Sequence, residues 1–343
     1  MKITHREYLP STTQSVHASS VEIWNGHPVF AWFGGQREGA QDVSIYIYNL
    51  NGEGETIQLG GWDSIPRWNP ILVNIGERLI LFEKAGIFCD RWQTFVHDIT
   101  NWNKNTTVRD IQENQYVLPA GLNGPVKSRP FIDGNHMYCG SSVETIYDWS
   151  SYIEEYIIED NGHLMFDYRS EPLTEPKKVI YRDPYSGSMA RSLGIIQPTL
   201  WRDGDDLCAF FRASRGLGSI YFSKKENYWN KNSEWSNPVP TNMPNPNSAV
   251  DVATYGDKLY LVWNPDSNYR FPLLVSELER DGEVFSIKQN LTASDDLNMD
   301  NFSMKSALSP ELSYPYMISH EGQLHLTYTH GRNKIEYIAI DID

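Results

Sequence analysis

Apolar and polar residues alternate along this chain over short runs, and the runs come in pairs closed by a glycine turn. The stretch VHASSVEIWNGHPVFAWFGGQREG, Val16 to Gly39, holds one pair: a strand opening on His17, a turn at Trp24-Asn25-Gly26, and an apolar strand ending in Gly34-Gly35. Asn-Gly between two alternating runs is a strong hairpin signal, because both residues tolerate the positive φ of a two-residue turn. Five later stretches repeat the pattern: PRWNPILVNIGERLILFEKAG from Pro66, VKSRPFIDGNHMYCGSSVE from Val126, IIQPTLWRDGDDLCAFFRAS from Ile195, PNSAVDVATYGDKLYLVWN from Pro246 and LSYPYMISHEGQLHLTYTHGR from Leu312. The copies start near His17, Trp68, Lys127, Gln197, Asn247 and Tyr314, at spacings of 51, 59, 70, 50 and 67 residues. A recurrence of this length, with about four short strands per unit, predicts an all-β, six-bladed β-propeller over residues 1–343 as a single domain.

A strand over Ile3 to Tyr8 precedes the first copy and is expected to close the ring by pairing in the last blade, which would also hide a sheet edge. The longer spacings require insertions. Glu171 to Arg191 is rich in Pro and charge and reads as a loop over one face, and Asp295 to Ser309 is a second insertion. No window holds an apolar pattern at helical spacing, whereas strand-like runs such as SIYIYNL, RLILFEK and KLYLVWN abound. A two-sheet sandwich would also give regular short strands. Six similar copies favour the propeller.

Composition narrows the partners. Net charge is -15 and the pI is near 5.0, so a nucleic-acid backbone is excluded as the natural partner. Aromatic residues make up 13% of the chain, with 11 Trp and 20 Tyr, as suits a β-rich protein that packs or stacks on rings. The cysteines Cys89, Cys139 and Cys208 form no CxxC pair and are odd in number, which argues against a disulfide framework or a thiolate zinc site. Asp295, Asp296 and Asp300 lack an EF-hand spacing and read as solvated loop residues, so neither metal nor cofactor is expected. The start, MKITHREYLPSTTQ, lacks the apolar run of a signal peptide, and no stretch is long enough to span a membrane. A cytoplasmic location is the default expectation, and oligomeric state stays open.

Blades converge on a central channel, and the starts of the innermost strands line one mouth of it. Polar residues recur at those points: His17, Asn69, Lys84, Lys127, Arg129, Glu144, Gln197, Arg212, Asn247, Asp251, Asn264, Arg270, Tyr314 and Arg332. Set in otherwise apolar strands, they have no packing reason to recur. Asn247, Ser248 and Asp251 could equally cap turns and strand ends through backbone hydrogen bonds. Trp32 and Trp68 read as core. His27, His97, His163 and His320 read as solvated loop residues, and His325 as half-buried.

The segments HAS at His17, WFGG at Trp32, WNP at Trp68, FEKAG at Phe82, GPVKSRP at Gly124, SSVE at Ser141, QPT at Gln197, FRAS at Phe211, PNPNS at Pro244, the Asn264–Leu274 run and SYP at Ser313 follow one another in an order that resembles the sialidase superfamily, in its BNR-repeat branch. EDNG at Glu159, ERDGEVF at Glu279 and KKENYWNKNSEWS at Lys224 resemble worn forms of the Asp-box turn of that family. The resemblance implies a clamp of three arginines on a substrate carboxylate, for which rigid guanidinium forks are suited, and a tyrosine nucleophile with a glutamate base. Arg212 matches the second clamp arginine and Arg270 the third. His17 stands where the first would be, Gln197 where the glutamate would be, and Leu312 at the tyrosine position with Tyr314 two residues on.

A glutamine cannot take a proton from a phenol whose ordinary pKa is about 10. Three functions then fit an acidic oligosaccharide or glycoconjugate as partner, held by Arg212, Arg270, Lys84, Lys127, Arg129 and Arg332 with Asn69, Gln197, Asn247 and Asn264. The first is exo-acting hydrolysis of a glycosidic bond to a sialate- or uronate-type sugar, with Glu144 and Asp251 as acid and base. The second is a lyase acting on a uronate, where arginines neutralise the carboxylate and His17 and Tyr314 move the protons. The third is a propeller that binds glycans without cleaving them.

Overall fold

The computed structural model describes residues 1–343 except 51–55, 62, 103–105, 176, 184–185, 295–310 and 343. Six antiparallel sheets of four strands follow one another along the chain as the blades of a propeller. Blade 1 runs Ser15–Trp24, His27–Gly35, Ser44–Asn49 and Ile57–Leu59, and blade 2 runs Arg67–Ile75, Arg78–Ala85, Gln93–Asp98 and Gln115–Val117. Blade 3 comprises Phe131–Asp133, His136–Glu144, Trp149–Ile158 and Leu164–Arg169. Blade 4 comprises Ile195–Asp203, Asp206–Ala213, Ser219–Lys225 and Val239–Pro244, and blade 5 Asp251–Tyr255, Lys258–Trp263, Leu273–Asp281 and Val284–Ser294. Blade 6 takes Leu312–His320, Gln323–His330 and Lys334–Asp341 from the end of the chain, and its outer strand, Lys2–Tyr8, from the start.

Two-period alternation sends successive side chains toward the two neighbouring blades, as where Phe30 and Trp32 enter one core and Ala31 and Phe33 the next, and between the blades the core lies. Phe33, Ile45 and Leu72 pack between blades 1 and 2, Phe210, Trp263 and Phe285 between blades 4 and 5, and Tyr260, Leu326 and Tyr328 between blades 5 and 6. Each such side chain contributes about 1.5–3 kcal/mol when fully buried. The expected closure is present: Tyr8 pairs with Glu336 and Ile3 with Ile340. Arg6 reinforces it, donating to Glu336 Oε1 at 2.5 Å and to the Ala293 carbonyl of blade 5 at 2.6 Å. At Gly140, where blade 3 meets blade 4, there is no room for a side chain: a Cβ there would lie 2.1 Å from the Pro198 carbonyl oxygen.

One backbone device recurs at the top of the innermost strands. The pairing register slips between His17 and Ser20, Trp68 and Ile71, Ile196 and Thr199, and Ser313 and Tyr316. At each slip a residue takes a left-handed conformation: Ala18 (φ 49°), Asn69 (41°), Gln197 (55°) and Tyr314 (51°). Asn247 (φ 61°) does the same just ahead of blade 5. Such bulges turn a side chain out of the pleat, and a non-glycine residue held there costs on the order of 1 kcal/mol. Four of the five are polar and three precede proline, so the motifs Asn-Pro, Gln-Pro and Tyr-Pro mark the bulges in the sequence. In blade 1 the left-handed residue is Ala18, which places His17 one step ahead of the other repeat positions.

Several expectations need correction. Glu171 to Arg191 is not a plain loop, for Ile180–Arg182 pairs with Met189–Arg191 in a two-stranded ribbon. Among the described residues one α-helix occurs, Val108–Glu113, signalled by a Thr-x-x-Asp capping box in which the Asp110 amide donates to Thr107 Oγ1. The first strand of blade 3 begins at Phe131, so Lys127 lies before it. His97 is buried within a strand rather than solvated, because Nε2 meets Glu83 Oε1 at 3.0 Å. His325 is buried rather than half-buried, with Nδ1 2.8 Å from the Tyr337 hydroxyl. Trp32 and Trp68 are core. The three Asp-box-like segments all fall between the third and fourth strands, in blades 3, 4 and 5. Asp295 to Ser309 lies outside the described residues. Among those described, no helix is long and apolar enough to cross a membrane.

Candidate active site at one mouth of the channel

Within each blade the first strand runs away from this mouth and the second returns to it, so strand starts and the loops between second and third strands meet here. Tyr314, raised on its bulge, is the hub. Its hydroxyl accepts from Arg212 Nη1 at 2.8 Å and from Gln197 Nε2 at 3.1 Å. Arg212, near the end of its strand in blade 4, also donates from Nη1 to Gln197 Oε1 and from Nε to Asn247 Oδ1, both at 3.0 Å. Its guanidinium lies 5.6 Å from the ring centre of Trp149. Blades 3, 4, 5 and 6 thus converge on one arginine.

His17 enters from blade 1, buried, with its ring centre 4.2 Å from that of Tyr314. Neither ring nitrogen has a hydrogen-bond partner among the described residues. Burial, then Arg332, Arg270 and Arg212 nearby, push its imidazole well below the ordinary 6.5, against the opposing pull of Glu311. The ring is therefore neutral at neutral pH.

Beside it stands a bridge of ions that sequence patterning did not reveal. Glu311 accepts from Arg270 Nη1 at 2.7 Å, from Arg332 Nε at 2.7 Å and Nη2 at 3.1 Å, and from Ser313 Oγ at 2.6 Å. Burial alone would raise the Glu311 carboxyl, but Arg270 and Arg332 hold it well below the usual carboxylate range. Arg270 also donates to the Asn247 carbonyl at 2.6 Å, and burial lowers its own value. Arg332 is bonded in turn to Glu38 on the blade 1 loop. Glu144 ends the second strand of blade 3, where burial raises its carboxyl against the pull of Arg212. Glu311, Glu38 and Trp149 were missed because they sit on loops and strand ends outside the repeated position. The only signal was their closeness to the SYP, FGG and SSVE segments.

The structure therefore brings His17, Gln197, Arg212, Asn247, Arg270, Tyr314 and Arg332 together, with Glu144 alongside. It places the other sequence candidates elsewhere. Asp251 lies deeper in the channel, accepting from Thr199 Oγ1 at 2.6 Å and the Met317 amide at 2.9 Å. Lys127 is a strut at the same depth, donating to the Val250 and Pro315 carbonyls with Asp251 at 3.8 Å. Its burial pushes it down to about 8. Asn69 ties blade 2 to the Val126 carbonyl at 2.9 Å, and Asn264 ties blade 5 to the Pro272 and Leu312 carbonyls at 2.8 and 3.1 Å. Lys84 is fully buried in the region of Glu154 and Cys139 of blade 3, without a hydrogen bond among the described residues, and burial pushes it down to about 7. Arg129 belongs to the opposite mouth, bonded to Glu22 at 3.0 Å. Glu22 is five residues along the strand from His17, about 17 Å away at ~3.3 Å per residue. None of these six reaches the cluster around Tyr314, because polarity along a strand does not encode depth.

Solved structures with the same fold include the sialidase of Trypanosoma rangeli in complex with the inhibitor DANA, at a TM-score of 0.61 and 10% identity over 99% of this chain. The chain spans 58% of that sialidase's length. The same sialidase in complex with sialic acid aligns at a TM-score of 0.59 and 9% identity, over 99% of this chain and 57% of its own. The subtype N10 neuraminidase-like protein of A/little yellow-shouldered bat/Guatemala/060/2010 aligns at a TM-score of 0.55 and 7% identity, over 99% of both chains. No curated protein matches the sequence. Residues 26–326 match the family described as BNR repeat-like domain, and the chain belongs to that family, in its sialidase-like six-bladed form.

Proposed function

We propose that the protein cleaves the bond beside a sugar bearing a single carboxylate, by β-elimination, in the mouth around Tyr314. The observation carrying this reading is the Tyr314 hydroxyl held by two donors, Arg212 and Gln197, beside a neutral His17. A sugar carboxylate lies against the guanidinium cluster, where its charge is neutralised and the adjacent C–H becomes more acidic. His17 takes that proton, the electron pair forms the new C=C bond, and the C–O bond one carbon further breaks. Tyr314 gives its proton to the departing oxygen, and its phenolate is stabilised by the same two donors. Proton return from the imidazolium to Tyr314 resets the site without consuming water. A glutamate at position 197 would oppose that phenolate; Gln197 favours it.

The charge balance supports an acidic partner with one negative group: Arg212, Arg270 and Arg332 face Glu311 and Glu38, leaving a surplus of one cation while Glu144, whose carboxyl burial raises, holds its proton. The sialidase with the same fold is complexed with sialic acid, which agrees with an acidic sugar here. Hydrolysis is the second reading, favoured by the raised carboxyl of Glu144, which feels the like charge of Glu38 and could serve as general acid. The test is a screen of sialosides and oligouronates with product mass and ultraviolet absorbance as readouts. Elimination gives an unsaturated product with no added water, lost about 10²–10⁴-fold in His17→Ala and in Tyr314→Phe. Products that gain water overturn it in favour of hydrolysis through Glu144. Saccharide binding without any cleavage supports a glycan-binding propeller. Under elimination, kcat/KM stays flat as pH falls through 6.5, because His17 protonates only well below that value. An inflection near 6.5 would argue against His17 as the base.

A further inference from the structure

The channel has a second mouth with a chemistry of its own. The first strands run away from Tyr314 and end around a cavity of about 380 Å³. Asn74, Arg202 and Ser319 line it, each five residues beyond the bulge residue of its strand, together with Thr254 of blade 5 and Arg129 just ahead of blade 3. Five residues of strand set the cavity about 17 Å from the first mouth, at ~3.3 Å per residue. Lys127 and Asp251, both buried, lie between the two. They are separate sites.

In a chain of net charge -15, this cavity is lined by two arginines and, among the described residues, by no Asp or Glu. Each guanidinium is only partly used. Arg129 turns Nε and Nη2 to one oxygen of Glu22, both at 3.0 Å, and its side chain is 40% exposed. Glu22 is satisfied further by the Ile23 and Asn74 amides, each at 3.1 Å. Arg202, which is exposed, donates Nε to the Gly204 carbonyl at 2.7 Å. Nη1 of Arg129 and both Nη atoms of Arg202 have no acceptor among the described residues. Asp203, beside Arg202 in the chain, is held by Arg280 at 2.5 Å instead. Unpaired guanidinium donors over an open cavity are suited to an oxyanion. A carboxylate has two oxygens and fills one fork. Two forks arriving from different blades call for a group with three terminal oxygens pointing apart, which a phosphate supplies. We propose that the second mouth binds a phosphate group, gripped between Arg129 and Arg202. The cavity has room beyond the ion, so the group is either free phosphate or the phosphate of a small ester.

The test is calorimetric titration of the full chain at low ionic strength with inorganic phosphate, glucose 6-phosphate and acetate, in the natural protein and in Arg202→Gln. One phosphate binds per chain, about tenfold tighter than acetate, and the substitution weakens it about tenfold. Arg202 makes a single hydrogen bond within the protein, so the phosphate-free melting temperature of the variant matches that of the natural protein; Arg202→Lys, which keeps the charge without the fork, falls between the two in affinity. Tighter binding of glucose 6-phosphate than of phosphate identifies a small phosphate ester as the ligand, and binding no tighter identifies the free ion. No binding of either phosphate compound to the natural protein, acetate binding as tightly as phosphate, or phosphate binding that Arg202→Gln leaves unchanged overturns the site.

Discussion

At Tyr314 the phenol oxygen accepts two hydrogen bonds, one from a cation and one from a neutral amide, and among the described residues no carboxylate is hydrogen-bonded to it. Gln197→Glu tests that arrangement directly. The new carboxylate would sit where Gln197 now meets Arg212 and Tyr314, and repel the phenolate; kcat for elimination is expected to fall about 100-fold with KM little changed. A rise in turnover with water-containing products would mean that Tyr314 needs a base, as a nucleophile does. Glu311 shows the same economy of charge. Two arginines buried without it would repel each other, and with it they form a fixed wall beside His17.

At the scale of the element, the bulge is what makes a strand into a site. An unbroken strand would send successive side chains alternately toward the two neighbouring blades, whereas a left-handed residue swings one of them toward the axis. Its position depends on close backbone contact behind it. Gly140→Ala would drive a methyl group into the Pro198 carbonyl, immediately after Gln197. We expect a loss of about 2 kcal/mol in urea unfolding and a weakened KM, because overpacking moves the backbone that carries Gln197. An unchanged midpoint would show that blades 3 and 4 slide apart freely. Proline after the bulge residue made three of the five devices visible in the sequence. Nothing comparable marked the ribbon at Ile180–Arg191, whose strands of three residues are too short for alternation to register.

At the scale of the whole molecule, one strand from the start of the chain holds the ring shut. Removing residues 1–8 would uncover the edge of Lys334–Asp341 and strip Glu336 of Arg6; the melting temperature is expected to drop by about 10 °C, read by calorimetry. Blade 6 also makes stability depend on pH. Burial pushes His325 down to about 4, below its ordinary 6.5, so the unfolded chain takes up the proton first. Its contribution is complete above pH 6.5 and is lost as pH falls toward 4, a difference of about 2 kcal/mol between pH 7 and pH 4.5 that urea midpoints would expose. His325→Phe should flatten that slope. Hairpins, six copies and the closing strand were legible in the residues because alternation, glycine turns and Asn-Gly pairs act over a few neighbours. The chain by itself therefore determined the propeller and the presence of a polar residue at the head of most blades. Only the tertiary structure decided which of those residues meet. Arg212, Arg270 and Tyr314 share one mouth, while Asn69, Lys127 and Asp251 serve as struts below it and Arg129 faces the other end. The reason is geometric: the axis gathers strands some fifty residues apart, and the depth at which each side chain arrives depends on bulges and loop lengths that polarity does not record.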